Sequence, residues 1–211
     1  MLQYGSSSGS ITTTTMNKLT QLHRTGKNIF TAQDLSALWK YDDERKLYEL
    51  IKYYVNSKQI HRLTRGLYSL NEYSEQMLRQ DGDLLFEMAN KLVANSYISL
   101  FSALKIYGVI FQYHDEIYSV AGKTAVKTVN GIRFVYKKIK DDALFNDTGI
   151  VQKGAIRMAS LERSICDSLY FFPALGLEHI EGASKDKILQ AAQIYKNQEL
   201  IKRIEKLTGE G

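Results

Sequence analysis

The sequence predicts an α+β protein of two domains: a small N-terminal domain that closes with a β-hairpin, and a larger mixed α+β C-terminal domain. Three observations predict this class. The length of 211 residues suffices for two cores. Apolar residues recur at helical spacing up to residue 55 and then alternate as in strands. The second half mixes both patterns, with an Asn130-Gly131 hairpin signal among its strands.

Three helices are predicted in the N-terminal domain. The first starts near Met16 and stops at the breaker Gly26-Lys27-Asn28. The second opens at Thr31, which with Asp34 has the spacing of a capping box, and it buries Leu35, Leu38 and Trp39. The third begins at Asp42 or Asp43, and its apolar stripe is formed by Leu47, Leu50, Ile51, Tyr54 and Val55.

A β-hairpin follows the third helix. Residues 59–63 and 67–70 alternate polar and apolar side chains around the turn Thr64-Arg65-Gly66. Three helices and a hairpin in about 55 residues are the order of a winged helix-turn-helix, whose third helix enters the major groove of DNA. We therefore predict a winged helix-turn-helix DNA-binding domain over residues 16–71.

The C-terminal domain is predicted over residues 72–211. Its first helical stripe includes Leu84, Leu85, Met88, Ala89 and Leu92, and a second runs from Tyr97 to Tyr107 and stops at Gly108. Strands are predicted at residues 116–121, at 128–134 around the Asn130-Gly131 turn, and near 155–158. Ser160 is predicted to cap a helix that runs to Phe171, and Ser184 a helical region that runs to Leu207.

The net charge of +5 is concentrated in the N-terminal domain. Residues 16–70 carry ten Lys and Arg against five Asp and Glu, whereas residues 71–211 carry eighteen of each. Residues 1–15 carry no charge and are rich in Gly, Ser and Thr, so we expect a disordered leader or tag. The single cysteine and the absence of a membrane-length apolar run favour the cytoplasm.

No catalytic, metal or cofactor site is predicted. Gly122-Lys123-Thr124 lacks the earlier glycine of a phosphate-binding loop and is interpreted as a hairpin connection. The aspartates of Asp81-Gly82-Asp83 and Asp141-Asp142 stand where helix caps are expected. Cys166 lies in an apolar stripe and is interpreted as a buried thiol, while Glu162 and Asp167 are expected to form a salt bridge or a cap. An enzyme is therefore the least favoured class.

The basic N-terminal domain supplies the candidate site, a surface for double-stranded DNA. Arginines beside the hairpin turn suit phosphates or a narrow minor groove, and the exposed face of the third helix suits base edges. The predicted DNA-binding residues are Arg45, Lys46, Lys52, Tyr53, Lys58, His61, Arg62 and Arg65. Against this, Asp42, Asp43 and Glu44 would repel phosphate, so that end either points away from DNA or accepts hydrogen bonds from cytosine amino groups.

Several segments resemble the AbiEi family, antitoxins and transcriptional regulators of type IV, abortive-infection toxin–antitoxin systems that act in phage defence. The resemblance covers residues 16–173. It rests on IHRLTRGLY at residues 60–68, YISLFSAL at 97–104 with Tyr107-Gly108, GIRF at 131–134, and ASLERSICDSLY at 159–170. The residues that carry over as wing positions are Arg62, Arg65, Gly66 and Tyr68; Ser99, Ser102, Glu162 and Asp167 are family-typical positions without an assigned role.

The resemblance implies a repressor that binds inverted repeats in its own promoter. It also implies that the C-terminal domain counteracts a nucleotidyltransferase-like toxin encoded beside it. Two alternatives stay open: a protein-interaction module that neutralises the toxin by direct binding, and a stand-alone viral-defence transcriptional regulator.

Overall fold

The computed structural model describes residues 18–111, 115–177 and 179–209. The leader predicted for residues 1–15 and the predicted start at Met16 lie outside these ranges. The chain divides into two compact units, with the boundary between Tyr73 and Ser74. Both helices and strands are present and the larger sheet is mixed, so the α+β class is confirmed.

The N-terminal unit contains three helices in its described part. Helix α1 covers residues 18–24, α2 spans Ala32–Trp39 and α3 spans Glu44–Asn56. The capping box at the start of α2 is present, because Thr31 Oγ1 accepts from Asp34 N and Asp34 Oδ2 accepts from Thr31 N. Asp43 caps α3 by accepting from the backbone N–H of Arg45 and Lys46. The predicted helix starts follow from this local capping chemistry.

Three short antiparallel strands complete the N-terminal unit. Strand β1 (Ile29–Thr31) precedes α2, and β2 (His61–Thr64) and β3 (Leu67–Ser69) form the predicted hairpin, in the sheet order β1-β3-β2. Sequence analysis did not predict β1, because three residues are too short to show alternation. The buried core residues of this unit are Leu22, Phe30, Leu35, Trp39, Leu47, Ile51, Tyr54, Ile60 and Tyr68.

The C-terminal unit is built on a six-stranded mixed sheet of order β6-β7-β5-β4-β9-β8. The strands are β4 (Tyr97–Ile98), β5 (Ile117–Ala121), β6 (Ala125–Val129), β7 (Ile132–Lys138), β8 (Ile150–Lys153) and β9 (Ile156–Ala159). The pairs β5–β7 and β4–β9 are parallel, and the other neighbours are antiparallel. The Asn130-Gly131 turn joins β6 to β7 as predicted, with positive φ angles of 46° and 79°.

Helices cover both faces of this sheet. They are α4 (Glu75–Gln80), α5 (Gly82–Leu92), α6 (Leu100–Ile106), α7 (Asp141–Leu144), α8 (Leu161–Phe171), α9 (Lys185–Gln193) and α10 (Gln198–Thr208). The hydroxyl of Tyr136 donates to Ala89 O on α5, whereas Lys137 stacks on Phe172 at the end of α8. Because neighbouring residues of a strand point to opposite faces, α5 and α8 lie on opposite sides of the sheet.

Three predictions for this unit were wrong. The helix expected from Tyr97 begins only at Leu100, because Tyr97 and Ile98 form a buried strand between β5 and β9. The Gly122–Thr124 loop is not a hairpin connection, since β7 lies between β5 and β6. The helical region after Ser184 is two helices, α9 and α10, and Ser184 makes no side-chain cap bond.

Candidate functional site

The outward face of α3 carries the first half of the predicted DNA-binding set. Arg45, Lys46, Lys52 and Tyr53 are all exposed, and the Tyr53 side chain is 55% exposed. Leu47, Ile51 and Tyr54 are buried on the opposite side, in the core described above. The amphipathic pattern therefore fixes which side of α3 is available to a partner.

Two of these α3 cations are paired within the helix. Arg45 Nε lies 3.2 Å from Glu49 Oε1, and Lys46 Nζ lies 3.9 Å from Asp43 Oδ2. Both pairs are exposed, so they are weak and screened by salt. The Asp43 carboxylate also caps α3, which gives it a structural role at the acidic start of the helix.

The hairpin carries the second half of the set. Arg62 is exposed on β2, an edge strand, and Arg65 is exposed in the turn, where Gly66 has a φ of 79°. His61 is half-buried and Lys58 is exposed just before β2. Within the described ranges, no acidic side chain pairs with Lys52, Lys58, Arg62 or Arg65. These four cations can therefore meet an external anion without first breaking an ion pair.

The turn is held against the helical part of the unit by backbone bonds. Ala32 N, at the start of α2, donates to Gly66 O at 2.9 Å, and Leu70 N donates to Asn28 O at 3.1 Å. Thr31 pairs with Leu67 in the β1–β3 register. Because these bonds are between main-chain atoms, they fix the position of the hairpin whatever side chain stands at its tip.

Tyr68 connects α3 and the hairpin. Its side chain is buried in the same core as Leu47, and its Cα pairs with that of Arg62 across the hairpin. Burial raises the pKa of Tyr68, the neighbouring Tyr48 adds to the rise, and Arg62 opposes it. The hairpin and α3 therefore share one core, in which Tyr68 is buried with Leu47 and Ile51.

Sequence reasoning missed Tyr48 and Asn56 as members of this face. Tyr48 is 40% exposed and Asn56 is exposed, and with Lys52 they form a row spaced four residues apart on α3. That spacing is visible in the sequence, but the prediction selected residues of α3 mainly by their positive charge, and Tyr48 is uncharged.

The predicted acidic start of α3 lines a groove between α2 and α3. Asp42 and Glu44 lie there with Gln33, Tyr41 and Tyr48.

The four family-typical positions lie in the C-terminal unit, and two of them meet in its core. Ser99 Oγ donates to Asp167 Oδ2 at 2.7 Å, and both side chains are fully buried. The hydroxyls of Tyr97 and Tyr195 donate to Asp167 Oδ1, at 3.1 and 2.5 Å. Two of the three segments that carry the family resemblance in this unit, residues 97–104 and 159–170, are therefore joined through one carboxylate.

Arg163 completes this buried network and was not predicted. Its Nε lies 3.6 Å from Asp167 Oδ1, one helical turn away on α8, and its guanidinium donates to Tyr97 Oη and to the backbone oxygens of Ala143 and Thr148. Burial raises the pKa of Asp167, while Arg163 and the three hydroxyls oppose that rise. The cluster joins β4, α8 and the segment between α9 and α10 through buried hydrogen bonds and one ion pair.

Ser102 and Glu162 have structural roles. Ser102 Oγ accepts from Tyr118 N at 2.8 Å, and Glu162 accepts from Ser160 Oγ and from Ser184 N. Glu162 and Asp167 therefore do not form a shared acid–base site. The salt bridge predicted for Asp167 is present with Arg163.

The remaining candidates for chemistry have local explanations. Cys166 is buried, which raises the pKa of its thiol, and the thiol donates a hydrogen bond to Ile188 O. Asp81 caps α5 through Leu84 N, Asp83 pairs with Lys153, and Asp142 pairs with Lys196. Among residues 18–111, 115–177 and 179–209, no three His, Cys, Asp or Glu side chains are grouped as metal ligands.

No helix in the described ranges is both long enough and apolar enough to cross a membrane.

A solved structure shares this fold. The crystal structure of RV2827C protein from Mycobacterium tuberculosis aligns with a TM-score of 0.51 at 12% sequence identity, over 94% of this chain and 77% of that chain. At this identity the similarity concerns the fold alone. No family model and no curated protein matches the sequence.

Proposed function

We propose that this protein is a DNA-binding antitoxin that represses its own toxin–antitoxin operon through an N-terminal winged helix-turn-helix. The observation that carries the proposal is that α3 and the β2–β3 hairpin share one core through Leu47 and Tyr68, while each carries exposed cations. Helices followed by a two-stranded wing, with a short β1 closing a three-stranded sheet, are the layout expected of this class of DNA-binding domain.

The proposed contacts divide by chemistry. Arg62 and Arg65 grip phosphates or enter the minor groove, because a guanidinium offers several donors in a planar fork. Lys52, Tyr53 and the row neighbours Tyr48 and Asn56 face base edges in the major groove. Lys58 and His61 lie at the base of the wing, and Arg45 and Lys46 exchange their intrahelical partners for phosphate.

For the C-terminal unit we propose the antitoxin role, countering a nucleotidyltransferase-like toxin encoded beside it. The support is the resemblance of residues 97–104 and 159–170 to AbiEi proteins, together with the Ser99–Asp167 bond that joins those two segments. This network is fully internal, so we assign it to the integrity of the domain and not to catalysis. In this proposal the outer surface of the C-terminal unit either binds the toxin directly or acts on the same target as the toxin.

A promoter reporter tests the repressor role. We expect the wild-type protein to lower expression from its own promoter and the double variant Arg62→Ala/Arg65→Ala to restore it, because two phosphate-binding cations are lost. The matched control is Arg24→Ala/Lys27→Ala, which removes the same charge from exposed positions of the same unit. Full repression by the wing variant at equal protein level would show that the wing does not bind DNA.

A further inference from the structure

The C-terminal unit has a concentrated basic segment although its overall charge is balanced. Residues 117–140 contain six Lys and Arg and no Asp or Glu. They are Lys123, Lys127, Arg133, Lys137, Lys138 and Lys140. A run of this kind in a neutral domain places a local positive field wherever the fold puts the segment.

The fold puts this segment at one edge of the six-stranded sheet. Strands β6 and β7 are the outermost pair of the sheet, called the β6–β7 ribbon below, and β6 is an edge strand with one free side. Lys127, Lys138 and the loop residue Lys123 are exposed. In the β6–β7 register Lys127 pairs with Phe134, so Lys127 and Lys138 lie on one face of the ribbon and Arg133 and Lys137 lie on the other.

Acidic side chains reach this ribbon at two places. Glu116 pairs with Arg133, at a distance of 3.1 Å between Oε1 and Nε. Glu75 of α4 lies against the turn, where its carboxylate leaves no room for a side chain at Gly131. Beyond the ribbon, the Asp142 carboxylate is held by Lys196, and Lys140 also lowers its pKa. Glu75 is itself paired with Arg79. The acidic groups therefore lie toward the turn, and the exposed lysines lie along β6 and at the opposite end of β7.

The exposed lysines of the ribbon are available to a binding partner. No acidic partner for Lys123, Lys127 or Lys138 is found within the part of the chain that the structure describes. A protein partner is the poorer fit, because interface cores are depleted of lysine and enriched in aromatic residues. Addition of a strand from a second chain is also disfavoured, because a lysine in the middle of an edge strand opposes such pairing.

We propose that the β6–β7 ribbon is a second DNA-binding surface that holds the phosphate backbone of duplex DNA without reading its sequence. The choice of DNA as the polyanion rests on the function proposed above. Strand β7 has seven residues and is about 23 Å long, a length that spans about seven base pairs. Interfaces with DNA are polar and strongly positive, which matches this surface.

The salt dependence of binding to a random-sequence duplex tests this proposal. The full-length variant Lys123→Ala/Lys127→Ala/Lys138→Ala is compared with Lys153→Ala/Lys202→Ala/Lys206→Ala, which removes three exposed lysines from other elements. If each ribbon lysine meets one phosphate, the slope of log affinity against log salt falls by about 2.7 in the ribbon variant and little in the control. Equal slopes for the two variants would overturn the proposal.

Two further experiments test the ribbon independently of the N-terminal unit and distinguish DNA from RNA. The ribbon substitutions are repeated in the Arg62→Ala/Arg65→Ala background, where we expect the same fall in slope, so the ribbon is measured even if the wing plays no part. Single-stranded RNA of equal length is the second probe. A fall seen with RNA and not with duplex DNA would overturn the assignment to DNA.

Discussion

At the scale of single residues, the feature that most restricts substitution is the buried ion pair of Arg163 and Asp167. Arg163 and Asp167 are both completely buried, and each is surrounded by hydrogen-bonding partners from other elements. A buried ion pair adds little net stability over an apolar pair, but removing one member leaves the other charge uncompensated. The pair therefore constrains which substitutions the C-terminal unit tolerates.

We predict that Asp167→Ala lowers the free energy of unfolding by about 3–5 kcal/mol, because Arg163 stays buried without its counter-charge. The control is Asp142→Ala, which breaks the exposed pair with Lys196 and should leave unfolding nearly unchanged. Urea titration followed by circular dichroism measures both. A loss no larger for Asp167→Ala than for Asp142→Ala would contradict the structural role of the network.

Sequence reasoning reached these residues only in part. Asp167 and Ser99 were singled out by resemblance, but their roles were not predictable, since Asp167 is 68 residues from Ser99, 70 from Tyr97 and 28 from Tyr195. Arg163 stands four residues before Asp167 in an otherwise largely apolar helix, a spacing that indicates a paired charge. The pattern could have identified the pair, but not the tyrosines that complete the site.

At the scale of elements, local chemistry explains which predictions succeeded. The starts of α2, α3 and α8 lie at Thr31, Asp43 and Ser160, each of which accepts a backbone N–H as a helix cap. The failures depend on distant partners: β1 exists because β3 pairs with it, and β4 because it lies between β5 and β9. A two- or three-residue strand leaves too short a pattern to be found in sequence.

The cap of α3 provides a matched test. We predict that Asp43→Ala destabilises the N-terminal unit by about 1 kcal/mol, because the N–H groups of Arg45 and Lys46 lose their acceptor. Asp42→Ala removes the same charge one residue earlier, where no cap is made. The fluorescence of Trp39, the single tryptophan, reports this unit because its ring is buried in the same core. Equal unfolding midpoints for the two variants would contradict the capping role.

At the scale of the whole molecule, buried tyrosines link folding to alkaline pH. Burial raises the pKa of Tyr97 and Tyr195 well above 10.0, and burial with the Glu116 hydrogen bond raises that of Tyr118 to about 12. The native state therefore keeps protons that the unfolded chain loses above pH 10. Their contribution to stability is complete below pH 10 and is lost as the pH rises beyond it.

We accordingly predict that the free energy of unfolding falls between pH 10 and pH 12. Tyr136, whose pKa burial also raises, offers the check, since Tyr136→Phe removes one such group and should make the fall shallower. Denaturant titrations at fixed ionic strength measure the slope. An unfolding free energy that is independent of pH across this range would contradict the linkage.

The distribution of charge is the second feature at this scale. A net charge of +5 resolves into a basic N-terminal unit, a neutral C-terminal unit and a local basic ribbon within the latter. The positive charge of the N-terminal unit can be counted directly from the sequence. The position of the basic residues of the β6–β7 ribbon required the fold, since only the sheet order places β6 and its lysine at an open edge.

The most direct test of the central proposal is the affinity of the full-length protein for its own promoter fragment against a scrambled duplex of the same composition, at physiological salt. We predict binding to the promoter that is tighter by about 10³-fold or more, as for specific DNA-binding proteins. We also predict that Arg62→Ala/Arg65→Ala weakens promoter binding while Arg24→Ala/Lys27→Ala does not. Equal affinity of the wild-type protein for the two duplexes would contradict the assignment of a sequence-specific repressor.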